Sequence, residues 1–371
     1  MIKSFEGGRG IAAIFVALFH LGFGASHISW IRNGYLFVDL FFVLSGFLIF
    51  FAYSRKLEYS HALRPFLIRR FGRLFPLLVF ATVAYVVLQN LMVFAKSQAI
   101  ALGYASFFQA PGLLEYKIPT APEILSTLTL THSLGFFDSL ILNYASWSIS
   151  TEFYTYVLFA MLCLLTRGRT RIMALSLVCA TAFLLTAWAS IVLHHCLEEG
   201  RCFDVSYDFG LVRCISSFFL GALTCHFSRS LQFNANYLQA AALLLLLALF
   251  SFMDAYPWLA FCFSAVCSVL ILSISRDTGI LAALFKSKPL QAAGERSYSI
   301  YMMHPVVLLP LIPYRENIHG FVMSTLVMAA YLTVLLIVSG WTYRFIENPF
   351  RRLFNRMAGA APPERIAPQT I

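Results

Sequence analysis

The chain has 371 residues, of which 60% are hydrophobic and only 12% charged, and its mean hydropathy is +0.76. An average soluble domain is about 45–50% apolar and about 25% charged, and a compact globule of this length could not bury the excess. The composition excludes a soluble cytosolic enzyme, a disordered chain and a nucleic-acid-binding domain. It indicates an all-α polytopic membrane protein, because the apolar runs are continuous rather than alternating.

Ten apolar segments are long enough to cross about 30 Å of hydrocarbon as helices that rise about 1.5 Å per residue. In chain order they cover residues 9–27, 34–53, 72–95, 147–166, 171–194, 210–228, 236–253, 257–275, 297–314 and 321–343. We therefore predict about ten transmembrane helices in a single domain over residues 1–350. A short basic cytoplasmic tail over residues 351–371 is expected to follow it.

Basic residues are distributed unevenly over the connections between these segments. If the connection between the second and third segments is cytoplasmic, 21 of the 27 Lys and Arg residues fall on the inner side. The remaining six, on the outer side, are Arg32, Lys96, Lys117, Arg201, Arg213 and Arg315. Because cytoplasmic connections carry an excess of Lys and Arg, both termini are predicted to be cytoplasmic. The net charge of +10 then reflects topology in the inner membrane and indicates no nucleic-acid partner.

The eight cysteines are scattered along the chain. They form no Cys-x-x-Cys pair and no Cys/His cluster with metal-ligand spacing, so we predict no metal site. Cys196 and Cys202 share the outer connection between the fifth and sixth segments. An oxidising compartment would allow a disulfide there, and two free thiols are the alternative.

Several ionisable residues lie inside the predicted spans, where a charged side chain at mid-membrane costs about 2.5–3.5 kcal/mol on insertion scales. Arg9 and His20 are 11 residues apart, which places them about 20° apart on one helix face and about 16 Å apart along the axis. Asp39 and Glu152 lie near the outer ends of inward-running spans, Glu152 about 8 Å below the outer surface. Each has an ordinary alternative, such as a positive-inside anchor for Arg9. Together they predict a polar chamber, which could belong to an enzyme or a transporter.

Six blocks of sequence, in order, resemble the acyltransferase 3 family of integral-membrane acyltransferases. They are Glu6-Gly-Gly-Arg9 with His20, Gly34–Ile49, Phe66–Pro76, Trp147–Tyr154, Ser297–His304 and Ile346–Pro349. The resemblance implies a stand-alone enzyme that moves an acyl group, with acetyl as the expected one, to a hydroxyl of a carbohydrate. The implied acceptors are glycans or glycolipids such as cell-surface polysaccharide, lipopolysaccharide and exopolysaccharide. Cytoplasmic acyl-CoA is the implied co-substrate, the lipid bilayer is the environment, and no permanently bound cofactor is expected.

The resemblance also implies roles for individual residues. His20 is the expected catalytic base or acyl carrier, since a neutral imidazole can take a proton from a hydroxyl or hold the acyl group itself. Glu152 is expected to orient the imidazole or stabilise its charge. Arg9, Arg69 and Arg73 are expected to bind the CoA phosphates at the inner face, because Arg binds phosphate bidentately. Purely topological charge is the alternative for each arginine.

Six further residues are candidates for lining the chamber or binding the acceptor: Asp39, Ser45, Trp147, Tyr154, Tyr298 and His304. Ser45 could also be a nucleophile, although Ser-Gly in a membrane helix more often allows close packing. Trp147 could stack on a sugar at the outer mouth, or it could anchor its helix at the membrane interface.

Two functions without acyltransferase chemistry stay open at this point. One is a transmembrane transporter that passes an acyl group outward for another protein, and the other is a secondary transporter for a small solute. Paired broken helices or inverted repeats would favour transport. The sequence contains neither, which favours the acyltransferase.

Overall fold

The computed structural model describes residues 2–22, 28–103 and 115–359, and these residues are largely helical, with no β-strand among them. The helices are α1 (Lys3–Leu21), α2 (Ser29–Arg32), α3 (Phe37–Tyr53), α4 (Leu63–Ala101), α5 (Ala121–Leu128), α6 (Trp147–Leu165), α7 (Gly168–Trp188), α8 (Cys196–Glu199), α9 (Gly210–Ser228), α10 (Ala235–Phe252), α11 (Phe263–Ile274), α12 (Ile280–Phe285), α13 (Lys288–Glu295), α14 (Ser297–Leu308), α15 (Phe321–Thr342) and α16 (Asn348–Met357). Short 3₁₀ or π segments extend several of them: Gly34–Leu36 before α3, Tyr144–Ser146 before α6, Leu309–Asn317 after α14 and Tyr343–Glu347 between α15 and α16.

Eight helical segments of the described residues are long and apolar enough to cross a membrane, and each coincides with a predicted span. The predicted class, an all-α polytopic membrane protein, is therefore confirmed. The other two predicted spans, 9–27 and 297–314, are also helical where described, in α1 and in α14 with its 3₁₀ extension. The count of ten crossings stays a prediction.

The first predicted span and the predicted tail are only partly covered by the described residues. Residues 23–27 of the first predicted span and 360–371 of the predicted tail lie outside the described residues. Residues 351–357, at the start of that tail, belong to α16. The ring of Phe354 lies 6.0 Å from that of Phe71, so this helix packs against α4.

The connections predicted to be cytoplasmic meet at one end of the bundle. Asp277, which follows α11, accepts a hydrogen bond from the backbone amide of Ser4 at the start of α1 (2.8 Å). Arg171 at the start of α7 pairs with Glu58, between α3 and α4, at 3.0 Å. Connections that are far apart in sequence but were predicted to lie on the same side therefore touch.

The connections predicted to be outside meet at the opposite end. Arg32 in α2 pairs with Asp254, which follows α10. The hydroxyl of Tyr35 donates a hydrogen bond to the carbonyl of Cys202 (2.8 Å), and Cys202 forms a disulfide with Cys196. The outer ends of α1, α3, α7, α9 and α10 are thereby tied together.

The chain over residues 130–146, before α6, is a re-entrant segment and not a simple external loop. Its two ends, residues 130–133 and 141–146, are mostly buried in the bundle, whereas residues 135–140 between them are mostly exposed. The His132 ring donates a hydrogen bond to the carbonyl of Ser146 (3.1 Å), and the Asn143 amide donates to the carbonyl of Met302 in α14 (3.3 Å). Non-helical backbone at membrane depth is tolerated only where protein buries it, and the two ends of the segment meet that condition.

The start of α6 lies level with the outer ends of its neighbours. Tyr144, just before α6, packs against His20 in the last turn of α1, with 4.9 Å between the ring centroids. The Trp147 ring lies against Gly210, the first residue of α9. Glu152 is five residues beyond Trp147, about 8 Å towards the inner end. The predicted depth of Glu152 below the outer surface stays a prediction.

A buried ion pair joins α3 to α9. Asp39 and Arg213 are both fully buried, with 2.7 Å between Arg213 Nη2 and Asp39 Oδ2. Ser217 donates a second hydrogen bond to the carboxylate (2.9 Å), and Arg213 also donates to the carbonyls of Tyr35 and Val205 (3.2 Å each). Asp39 therefore belongs to a closed network and not to the chamber, because its oxygens are already bonded to α9.

Two glycines allow α3 and α9 to approach closely enough for this pair. A Cβ atom at Gly46 would lie 1.8 Å from the carbonyl oxygen of Phe218, and one at Gly221 would lie 1.9 Å from that of Val43. Small residues permit such backbone contacts between membrane helices. The close packing considered for the Ser45–Gly46 step is thus made by the glycine.

We predict that reporter fusions after Arg167 and after Ser230 are cytoplasmic, because the basic connections share one end of the bundle. A fusion after Tyr256 should report the opposite side. Alkaline phosphatase and green fluorescent protein, which are active on opposite sides, give the measurement. An extracytoplasmic signal from the Arg167 fusion would contradict the orientation.

We predict that Asp39→Asn strongly destabilises the protein, because it leaves the buried Arg213 with only the partly exposed carboxylate of Asp204, 3.7 Å away, as counter-charge. Removing one partner of a buried pair typically costs about 3–5 kcal/mol. The matched control is Asp254→Asn, whose pair with Arg32 is about 40% exposed and should contribute about 0–1 kcal/mol. Thermal unfolding in detergent measures both, and equal stabilities of the two variants would refute the prediction.

Candidate active site

A cavity of about 90 Å³ lies between α1, α3, α4, α6 and α14. Its polar lining consists of arginines, one glutamate, serines and tyrosines, namely Arg9, Arg70, Arg73, Glu152, Ser45, Ser148, Ser297, Tyr156, Tyr298 and Tyr301. The rest of the lining is apolar. Five of the residues that the sequence singled out therefore share one cavity: Arg9, Ser45, Arg73, Glu152 and Tyr298.

Three arginines give the cavity a positive charge. Arg9 comes from α1, and Arg70 and Arg73 come from α4, where a spacing of three residues places them on the same side. The only carboxylate in the lining is that of Glu152. Within the lining three cations face one anion, and Arg9 also pairs with Glu6 outside the lining (3.7 Å). Arg70 and Arg73 therefore carry the excess positive charge that suits this partly closed site to an anionic ligand.

Arg70 lines the cavity at the position where the sequence analysis expected Arg69. Arg69 does not line the cavity, since it is one residue, or about 100°, around α4 from Arg70. The guanidinium of Arg70 lies 5.7 Å from the ring centroid of Tyr53 and 6.0 Å from that of Tyr156. The spacing of three between Arg70 and Arg73 is the sequence signal that could have identified it.

A chain of hydrogen bonds runs along the cavity wall from α3 to α6. The hydroxyl of Tyr156 donates to Glu152 Oε1 (2.5 Å), and Ser45 Oγ lies 2.7 Å from the same hydroxyl. Because the phenolic proton is given to Glu152, Ser45 is the donor to Tyr156. Sequence reasoning missed Tyr156, although its spacing of four from Glu152 places both on one helix face.

His20 lies outside this cavity, about 16 Å along α1 from Arg9. Its Nδ1 atom donates a hydrogen bond to the carbonyl of Val16 (2.9 Å), which leaves Nε2 as the free ring nitrogen. Glu152 was predicted to orient this imidazole. Since Glu152 is bonded to Tyr156 in the cavity, the Val16 carbonyl is the group that orients His20.

A second imidazole lies beside His20. The ring centroid of His304 is 4.8 Å from that of His20. His304 is fully buried, and its Nδ1 donates to the carbonyl of Tyr301 (2.5 Å). Tyr301 lines the cavity and its ring lies 5.7 Å from the His304 ring, so it connects the arginine cavity to the imidazole pair.

The remaining two chamber candidates lie elsewhere. Trp147 is 9% exposed, and its ring lies 5.3 Å from the guanidinium of Arg213. Because its ring is buried against the start of α9, it is not an exposed anchor at the membrane interface. The hydroxyl of Tyr154 donates to the carbonyl of Thr129 (3.0 Å), outside the cavity.

Comparison with known families identifies one that matches this chain. Residues 2–344 match the acyltransferase 3 family model, which is described as an acyltransferase domain. The match covers nearly the whole chain. The chain therefore belongs to this family, as the sequence blocks predicted.

The curated relatives include proteins from three bacteria. The peptidoglycan O-acetyltransferase OatA of Listeria monocytogenes is 26% identical over 95% of this chain and 56% of its own length. The putative peptidoglycan O-acetyltransferase YrhL of Bacillus subtilis is 26% identical over 94% of this chain and 55% of its own. The O-acetyltransferase OatA of Staphylococcus aureus is 25% identical over 95% and 57%, respectively. The chain thus spans little more than half the length of these relatives, and no solved structure matches it.

We predict that Arg70→Ala weakens acetyl-CoA binding about tenfold or more, because a hydrogen bond to a charged group is worth about 1.5–3 kcal/mol. Arg70→Lys should restore part of the affinity, since an ammonium lacks the planar fork. Arg69→Ala is the matched control and should change the affinity by less than about threefold. Titration calorimetry in detergent measures all three variants, and equal losses for Arg69→Ala and Arg70→Ala would return Arg69 to its predicted role.

Proposed function

We propose that this protein is a membrane O-acyltransferase that moves an acyl group, with acetyl as the expected one, from acyl-CoA to a hydroxyl of a carbohydrate. The observation that carries the proposal is the placement, along one face of α1, of an arginine-lined cavity and an imidazole with a free Nε2 atom. Family membership and the names of the relatives support the reaction type.

The arginine cavity is the proposed site for the donor. CoA is a polyanion, and Arg9, Arg70 and Arg73 offer planar groups that can bind phosphate oxygens bidentately. The cavity lies towards the end of the bundle where the basic connections meet. Acyl-CoA would therefore enter from the cytoplasm, and its flexible arm would extend along α1 past Tyr301 towards His20.

His20 is the proposed catalytic residue. In the direct reaction, Nε2 takes the proton of the acceptor hydroxyl as its oxygen attacks the thioester carbon. The C–S bond then breaks, and the CoA sulfur takes up the proton from the imidazolium. In the stepwise reaction, Nε2 itself attacks the thioester carbon, the C–S bond breaks and CoA leaves as the thiolate. The acceptor oxygen then attacks the acyl group on the ring, the Nε2–C bond breaks, and the hydroxyl proton passes to the CoA sulfur. Both routes need a free Nε2, which the hydrogen bond from Nδ1 to Val16 leaves available.

The proposed acceptor is a cell-surface glycan. Two of the relatives are named as peptidoglycan O-acetyltransferases, one of them a putative one. This adds peptidoglycan to the polysaccharide, lipopolysaccharide and exopolysaccharide that the sequence suggested. The multi-pass fold would place the enzyme in the cytoplasmic membrane, between the cytoplasmic donor and an acceptor at the cell surface.

We predict that His20→Gln lowers acyl transfer by at least about 100-fold, because general acid–base catalysis contributes about 10²–10⁴ and an amide cannot take the proton. Binding of acetyl-CoA should stay close to that of the wild type, since the imidazole lies outside the arginine cavity. His61→Gln, in the exposed inner connection, is the matched control and should be fully active.

The measurement is transfer of radiolabelled acetyl from acetyl-CoA by purified protein, with membrane lysate as the acceptor source. A His20→Gln variant with wild-type transfer would refute the role of His20. Acid quenching followed by peptide mass spectrometry separates the two routes, since only the stepwise reaction leaves acetyl on His20.

A further inference from the structure

Two polar atoms on rings that contact His20 have no hydrogen-bond partner among the described residues. They are Nε2 of the fully buried His304 and the hydroxyl of Tyr144, and both atoms are buried. The centroid of the Tyr144 ring lies 4.9 Å from that of His20 and 5.7 Å from that of His304. A buried polar group without a partner is costly, so these two atoms together with His20 Nε2 are matched to a ligand that supplies hydroxyl groups.

Two cations lie at the outer end of α1, directly above this cluster. The guanidinium of Arg201 lies 5.5 Å from the ring centroid of Phe19, the residue before His20. The guanidinium of Arg315 lies against Gly22, so that a Cβ atom there would collide with it. Both charges are close enough to His20 to act on it electrostatically.

Asp204 lies near enough to Arg201 to interact with it electrostatically, but neither arginine forms a close ion pair among the described side chains. Among the ion pairs of the described side chains, none contains Arg201 or Arg315. The carboxylate of Asp204, on the same loop as Arg201, lies 3.7 Å from Arg213 instead. The outer mouth therefore carries two exposed positive charges on a side of the protein that has few of them.

We propose that this cluster is the acceptor subsite and that the acceptor is an anionic, hydroxyl-bearing carbohydrate. His304 Nε2 and the Tyr144 hydroxyl bind sugar hydroxyls, and Arg201 and Arg315 bind a phosphate or carboxylate of the same molecule. The proposal rests on the proposed function. It adds a binding site for the hydroxyl that His20 activates, and it states the charge of the molecule that carries this hydroxyl.

The distribution of charge along α1 supports separate sites for the donor and the acceptor. The inner arginine cavity and the outer arginine pair are separated by the imidazole pair, so the bundle offers two anion sites with the reactive nitrogen between them. A neutral glycan would use the hydroxyl-binding groups alone. An anionic glycan would bind both the hydroxyl-binding groups and the two outer arginines. The arginines would hold it with a hydroxyl directed at His20 Nε2.

The test is a binding measurement on purified protein in nanodiscs of uncharged phosphatidylcholine. The probes are glucose, glucose 1-phosphate, glucuronate and inorganic phosphate, each detected by saturation-transfer NMR or calorimetry. Glucose 1-phosphate, glucuronate or both should bind about tenfold more tightly than glucose, since a charge-assisted bond is added. The difference between these two probes identifies phosphate or carboxylate as the preferred anion.

Variants separate the two halves of the subsite. Arg315→Ala and Arg201→Ala should each weaken binding of the preferred anionic sugar about tenfold and leave glucose unchanged, whereas Arg32→Ala, at the same end of the protein, should have no effect. Tyr144→Phe removes only the unpaired hydroxyl. If Tyr144 had only a structural role, binding of the probes would be unaltered. In the proposed subsite this variant weakens both glucose and the anionic sugar but not inorganic phosphate.

Two outcomes would overturn the proposal. One is equal affinity for glucose and both anionic sugars, or no binding of any of the sugars, while acetyl-CoA still binds. The other is anionic-sugar binding that is unaltered by Arg201→Ala, Arg315→Ala and Tyr144→Phe alike. Failure of the proposed function would look different, because acetyl transfer would then be independent of His20 whatever the sugar affinities.

Discussion

The arrangement of the bundle depends on one pair of opposite charges held away from water. Asp39 and Arg213 are fully buried between α3 and α9, and each is the nearest counter-charge of the other, since Asp204 lies further from Arg213, at 3.7 Å. An unpaired charge in such surroundings costs several kcal/mol. The pair fixes the height of α3 against α9. Since Ser45 is on α3, less than two turns from Asp39, the same pair sets the position of one wall of the cavity.

The influence of Arg213 extends beyond its ion pair. Its guanidinium lies against the Trp147 ring at the start of α6, and α6 carries Glu152 and Tyr156 to the opposite wall of the cavity. The same guanidinium binds the carbonyl of Val205 in the outer loop closed by the disulfide. Arg213 therefore fixes the positions of α3, α6 and the outer loop relative to one another. The two helices form walls of the cavity that would receive the donor, and the loop carries positive charge at the outer end.

Sequence reasoning identified the features that local patterns encode. Apolar runs marked the spans, and the spacing of Arg9 and His20 marked a common face of α1. It could not identify the re-entrant segment 130–146, because this segment is held by hydrogen bonds to distant residues, such as that from the Asn143 side chain to the Met302 carbonyl. Such bonds leave no periodic signal in the sequence.

The re-entrant segment also constrains the order in which the protein is assembled. The Asn143 side chain is bonded to Met302, which is 159 residues later in the chain. When residues 130–146 leave the ribosome, the helix that will bury them has not been synthesised. Their polar backbone therefore has no place in the hydrocarbon at that stage and must remain in water. The segment can settle into the bundle only after α14 has been inserted, so the surroundings of His20 are completed among the last steps of biogenesis.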